Sequence, residues 1–200
     1  MEVGGCGGKE KGAAVAKRQN IRWADFSLRL LAFANTLAAA LVLGLDRQSK
    51  EVSMQVFPTL PPVSIPVTAK WKYMSAFVYF VVVNGIACGY AAVSLAIIWV
   101  DNNRGQNSGR ATTSSAALML LLFDLLMVVV LFSGVGAATA VGLLGFYGNS
   151  HVRWNKVCNV FGIFCAKVGG AITVSLLGAT LFLLLVVLAT LKLHNNNKHP

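Results

Sequence analysis

The stretch ALMLLLFDLLMVVVLFSGVGAATA, residues 117–140, contains a single charged residue, Asp124, and is otherwise rich in Leu, Val, Ala and Gly. An α-helix needs about 20 apolar residues to cross roughly 30 Å of hydrocarbon. The stretch therefore predicts a membrane-spanning helix. Three further windows have the same character, and we predict spans at about 24–45, 74–100, 115–138 and 169–191.

The composition of the whole chain agrees with four spans. Hydrophobic residues make up 56% of the sequence and charged residues only 12%, whereas soluble domains carry about 25% charged residues. We predict an all-α membrane protein with a four-helix transmembrane domain at residues 24–191. The short ends, 1–23 and 192–200, are expected to be cytosolic tails. The N-terminal tail has no apolar core of a signal peptide and is predicted to be disordered.

The net charge of +10 reflects basic residues that flank the predicted spans. Basic residues are enriched on the cytosolic side of membrane helices, so the charge does not indicate a nucleic-acid partner. Four spans put both termini on one side of the membrane. The basic residues before the first span favour a cytosolic N-terminus; they are Lys9, Lys11, Lys17, Arg18 and Arg22.

The linkers between the spans differ in character. Residues 46–72 contain PTLPPVSIP, whose prolines favour extended or polyproline structure. Residues 146–167 contain Cys158 and Cys165, which are seven positions apart. If this linker faces the oxidising exterior, the two cysteines can form a disulfide; the alternative is two free thiols at a helix edge. A metal site is not expected, because only His151 is nearby.

Two ionisable residues lie inside the predicted spans, Arg29 in the first and Asp124 in the third. A charge at the bilayer centre costs about 2.5–3.5 kcal/mol on insertion scales. The first and third spans cross in the same direction, and the two backbones differ in depth by roughly 6 Å. The hypothesis is a structural pair, because Arg can meet a carboxylate through two hydrogen bonds. Alternatively, Arg29 extends to the headgroups beside Asp25, and Asp124 is the intramembrane site of a small transporter or channel.

Small residues recur at four-residue spacing in two spans. Gly85 and Gly89 lie in the second span, and Gly134, Ala138 and Gly142 lie in the third. In lipid, such spacing lets helix backbones approach closely, either within the bundle or between protomers. The sequence contains no Gly-rich phosphate loop, HExxH motif or nucleophile elbow. We therefore expect neither enzymatic activity nor a cofactor.

Three segments resemble one known family. They are DFSLRLLAFANTLAAALVL at 25–43, the surroundings of Asp124, and HVRWNKVCNVFGIFCAKV at 151–168. The chain resembles the Casparian strip membrane domain protein-like (CASP-like) proteins of land plants, subfamily 1, which are four-helix membrane proteins related to the MARVEL domain.

Several residues match the signature of that family. It includes an Arg in the first helix and an Asp in the third, here Arg29 and Asp124. It also includes a Trp and two Cys in the second extracellular loop, here Trp154, Cys158 and Cys165.

The resemblance implies residence in the plasma membrane and association with copies of itself and with related tetraspan proteins. The Casparian strip proteins are scaffolds that recruit cell-wall polymerising enzymes. The first loop of this chain, RQSKEVSMQVFPTLPPVSIP, departs from the signature of those proteins. The expected function is a membrane scaffold that organises a wall-facing domain or recruits partners. The alternatives are a transporter or channel, or an accessory subunit of another membrane protein.

Overall fold

The computed structural model describes the backbone of residues 6–54, 63–103, 114–148, 151 and 156–196, and the side chains of residues 19–46, 71–100, 118–148, 151 and 156–194. Four long helices account for most of these residues. They are α1 (Cys6–Gly44), α2 (Ser75–Asn103), α3 (Ser114–Tyr147) and α4 (Gly162–Asn196).

Each helix contains a segment long and apolar enough to cross a membrane. These segments are Gln19–Gly44, Ser75–Val100, Leu118–Tyr147 and Gly162–His194. The shortest of them has 26 residues, which corresponds to about 39 Å of helix and exceeds the roughly 30 Å of hydrocarbon. The prediction of an all-helical, four-span membrane domain is confirmed.

The helices are longer than the sequence predicted. α1 begins at Cys6, within the stretch 1–23 that we expected to be disordered. Residues 13–18 are Ala, Val, Lys and Arg with no proline, and most of these residues favour helix. α3 continues to Tyr147 and α4 begins at Gly162 because apolar residues extend past the predicted ends. α4 also runs to Asn196, into the stretch expected to be the C-terminal tail.

The first linker forms an antiparallel hairpin of β1 (Arg47–Met54) and β2 (Val63–Lys70). Arg47 pairs with Lys70 and Met54 with Val63. The prediction of extended structure agrees with the strand at residues 63–66, whereas residues 58–62 lie outside the described part. A short 3-10 turn at Trp71–Tyr73 leads from β2 into α2.

The four helices pack in a ring. α1 and α3 each contact both α2 and α4, so α1 and α3 lie diagonally across the bundle. One buried apolar cluster, which includes Phe77, Phe80 and Phe164, lies toward the end that carries the hairpin. A second cluster, which includes Leu131 and Phe182, lies toward the end that carries the chain termini. We call these the hairpin end and the tail end.

Candidate functional site

The structure brings Arg29 and Asp124 together inside the bundle. Arg29 donates two hydrogen bonds, from Nη1 to Asp124 Oδ1 at 3.1 Å and from Nη2 to Oδ2 at 2.9 Å. The side chains are 4% and 0% exposed, respectively. A two-pronged contact of this kind compensates for much of the cost of removing both charges from water, and it orients the two helices relative to each other.

Tyr90 of α2 completes the surroundings of the Asp124 carboxylate. Its hydroxyl donates to Asp124 Oδ1 at 2.7 Å, and its ring lies 6.1 Å from the ring of Phe182 in α4. Tyr90 was not predicted as a site residue from the sequence. A signal was available in the predicted spans, since Tyr90 lies ten residues before the predicted span end at 100 and Asp124 lies nine residues after the predicted span start at 115. Adjacent spans run in opposite directions, so these positions have similar depth.

Two more charged residues extend the contacts toward the tail end. Asp25 Oδ1 lies 3.5 Å from Arg29 Nε, and Asp25 Oδ2 accepts a hydrogen bond from Lys192 Nζ at 3.4 Å. The resulting set, which we call the four-helix network, takes at least one residue from every helix; it consists of Asp25, Arg29, Tyr90, Asp124 and Lys192. Its two formal positive charges balance its two formal negative charges. Arg29 thus lies beside both Asp25 and Asp124, and its side chain remains inside the bundle.

A neutral polar contact lies closer to the middle of the bundle. Ser175 Oγ donates to Asn84 Oδ1 at 2.8 Å, and Asn84 Nδ2 donates to the carbonyl oxygen of Phe80 at 2.8 Å. Both polar side chains are fully buried. Each has a partner, which lowers the cost of polar groups in hydrocarbon, and the contact joins α2 to α4.

At the hairpin end, Cys158 and Cys165 form a disulfide with a Cα–Cα distance of 5.7 Å. Cys165 lies in the first turn of α4, and Cys158 lies in the loop before it. The backbone N–H groups of Val157 and Cys158 donate to the carbonyl oxygen of Gly145 at 2.9 and 3.2 Å. The loop between α3 and α4, which we call the second loop, is thus attached to both of these helices. Trp154, the third residue of the predicted loop motif, lies outside the described residues.

The hairpin end also contains an ion pair that was not predicted from the sequence. Lys167 Nζ donates to Asp46 Oδ1 at 2.6 Å. Asp46 follows α1 and its side chain is 2% exposed, whereas that of Lys167 is half exposed. This contact ties the start of the hairpin to α4.

The two small-residue stripes face different ways. A Cβ added at Gly134 would lie 2.6 Å from Val83 Cγ2, and Ala138 is fully buried, so this stripe packs inside the bundle against α2. At Gly142 a Cβ would meet Val168 only at 4.0 Å, an ordinary contact. Gly85 and Gly89 are exposed, with no described atom within 4 Å of an added Cβ. The stripe of Gly85 and Gly89 therefore faces away from the bundle.

Comparison with known proteins identifies the family of the chain. Residues 18–181 match the Casparian strip membrane protein domain. The chain belongs to this family. It is 50% identical over 193 residues to CASP-like protein 1E2 of Glycine max, covering 96% of this chain and 99% of that protein.

Other plant relatives are similar over most of their length. The chain is 51% identical over 196 residues to CASP-like protein 1E2 of Vitis vinifera, covering 98% of this chain and 95% of the relative. It is 49% identical over 169 residues to CASP-like protein 1E2 of Arabidopsis thaliana, covering 84% and 85%. The resemblance to subfamily 1 of the CASP-like proteins is confirmed, and the chain is a multi-pass membrane protein of this family. No solved structure matches it.

Proposed function

We propose that this CASP-like chain is a plasma-membrane scaffold with cytosolic termini. It associates laterally with copies of itself and with related tetraspan proteins, and it organises a wall-facing membrane domain or recruits partner proteins there. The observation that carries the proposal is the four-helix network, whose charges are balanced and whose central carboxylate has hydrogen-bond donors on both oxygens. Such a network supports a fixed bundle that presents constant surfaces to its neighbours.

The surroundings of Asp124 favour this structural role over transport. A proton or ion relay normally uses a series of titratable groups along a path that water can reach. Asp124 is 0% exposed and bound by Arg29 and Tyr90. Moving an ion through this position would require breaking a buried ion pair, which would leave buried charges without partners.

Lateral association is supported by the outward face of α2. Gly85, Gly89, Ala92 and Ala96 are all exposed and follow each other at spacings of four, three and four. This spacing keeps small residues on one side of a helix. In lipid, a smooth strip of this kind lets the helix of a neighbouring protomer approach closely, which increases dispersion contacts between the helices.

Partner recruitment on the wall side is supported by the construction of the hairpin end. The β1–β2 hairpin and the disulfide-closed second loop lie at the same end of the bundle, and the Asp46–Lys167 pair attaches the hairpin to α4. Together they form a surface held by covalent and ionic links. Cell-wall-modifying enzymes are the class of partner that we propose for it.

The test of self-association is energy transfer between two differently tagged copies in the plasma membrane of plant cells. The wild-type protein should give a signal that a double variant, Gly85→Leu with Gly89→Leu, reduces strongly because the leucines separate the helices. Gly136→Leu is the matched control, since Gly136 is also exposed with no described atom within 4 Å of an added Cβ. Absence of transfer in the wild type would contradict the proposal.

A further inference from the structure

The two outer edges of the β1–β2 hairpin are not equivalent. Pro66 of β2 lies opposite Glu51 of β1, and proline has no N–H to donate. The Glu51–Pro66 pair is therefore a non-hydrogen-bonded pair. Along an antiparallel hairpin, hydrogen-bonded and non-hydrogen-bonded pairs alternate. It follows that Arg47, Ser49, Glu51 and Ser53 turn their backbone N–H and C=O groups away from β2. The outer edge of β2 lacks a donor at Pro66, whereas the outer edge of β1 is complete.

In the described part of the chain, the sheet has two strands, and no further strand pairs with the outer edge of β1. A complete strand edge is a template for pairing with another chain. A two-stranded hairpin on its own is marginally stable, so a third strand would strengthen it.

The charges along β1 indicate which strand fits. Arg47 lies opposite Lys70, which has the same charge, and Glu51 lies opposite the uncharged Pro66. Within the hairpin, neither Arg47 nor Glu51 is opposite a residue of opposite charge. Like charges directly opposite are destabilising, and opposite charges are stabilising. A strand that places an acid opposite Arg47 and a base opposite Glu51 would put opposite charges at both positions.

We propose that β1 of a second copy of this chain is that strand, paired antiparallel with Ser49 opposite Ser49. In this register Arg47 of each copy lies opposite Glu51 of the other, and the twofold symmetry repeats the ion pair. Centring the pairing on Lys50 or on Glu51 would instead place like charges opposite each other. The inference rests on the proposed self-association and names a wall-side surface for it.

The first test is a cross-link in the full-length chain in plant membranes. Cys6 and Cys88 are first replaced by Ser and Ala, and Ser49→Cys is added. In a pair that exchanges hydrogen bonds, the two Cα atoms are about 5.5 Å apart, a distance that a disulfide can span. Mild oxidation should give a covalent dimer on a non-reducing gel. Ser53→Cys is the matched control, because its two copies would lie about 26 Å apart.

The second test exchanges the charges in the Ser49→Cys background. Arg47→Glu and Glu51→Arg should each lower the dimer yield about fivefold, because each creates two like-charge pairs across the interface. The double variant, with both changes, should restore it. Arg47→Glu also places opposite charges at the Arg47–Lys70 position, so its effect on the dimer cannot come from a weaker hairpin.

Three results would overturn the inference: equal cross-linking at Ser53→Cys, single reversals without effect, or a double variant that is not restored. Energy transfer between tagged copies, measured on the same variants, separates the two proposals. Transfer without a Ser49→Cys cross-link would refute the β1 interface and leave the scaffold intact. Absence of both, in protein that reaches the cell surface, would refute both.

Discussion

The tail half of the bundle joins its helices through charges, whereas the hairpin end uses a loop closed by a disulfide, a half-exposed ion pair and backbone contacts. The four-helix network lies mostly inside the membrane span, where every charge needs a partner because no water can solvate it. At the hairpin end, the side chain of Lys167 is half exposed, whereas that of its partner Asp46 is buried. Ionic contacts there are worth less. The two ends therefore differ in what is attached: buried charges connect all four helices at the tail end, whereas the links at the hairpin end attach the hairpin and the second loop to the bundle.

The largest effect is expected from breaking the charge pair. Asp124→Asn removes the charge that compensates Arg29, and we expect a loss of about 3–5 kcal/mol in stability because a buried cation is left unpaired. The variant should fail to reach the cell surface and should unfold at lower temperature in detergent. The double variant Arg29→Met with Asp124→Leu should be less damaged than Asp124→Asn, since it leaves no unpaired charge. Normal delivery of Asp124→Asn would contradict the pair's structural role.

Removing the disulfide should have a smaller and more local effect. Cys158→Ser opens a ring closed by cysteines seven apart, and the loss of loop constraint corresponds to about 2.5 kcal/mol. We expect the second loop to become sensitive to protease added outside intact cells, while the helices stay packed. Cys88→Ala, which removes a free thiol in α2, is the control and should change nothing. If Cys158→Ser resists protease as well as the wild-type protein does, the structure of the second loop does not depend on the disulfide.

Tyr90→Phe tests the neutral member of the four-helix network. The ring keeps its contact with Phe182, but Asp124 loses one donor, and we expect a cost of about 1 kcal/mol. Thermal unfolding of the purified protein in detergent measures this difference. Tyr79→Phe is the matched control, because the Tyr79 hydroxyl makes a longer bond to Ser133, at 3.3 Å, on the exposed side of the bundle.

The smallest effect is expected at the neutral polar contact. Ser175→Ala removes one donor to Asn84, and interhelical hydrogen bonds in membranes are worth about 0.6 kcal/mol on average. The same unfolding assay should detect a slight decrease. Thr180→Ala is the control, since the Thr180 hydroxyl bonds only within its own helix, to Leu177. A decrease as large as that of Asp124→Asn would remove the distinction between charged and neutral contacts.

Some of the site could be predicted from the sequence and some could not. Arg29 and Asp124 could be paired as a hypothesis because their depths follow from counting residues along spans of known direction, and the structure places them 2.9 Å apart. Asp25 could be placed beside Arg29 on the same helix, but its contact with Lys192 could not be predicted in the same way. They lie near helix ends, where charged residues are common and most have no intramembrane role. Asp25 and Lys192 meet only because α1 and α4 are adjacent in the bundle.

By itself the sequence determined the number of spans, the family and the presence of charges that need partners, because hydropathy and residue identity are local properties. The tertiary structure decided how each helix is rotated. Arg29 and Asp124 indicate the inward side of α1 and α3, but the spans are otherwise strongly apolar, so no polar face indicates which side of α2 or α4 turns inward. For this reason only the fold shows that Gly134 packs against Val83 while Gly85 and Gly89 face outward.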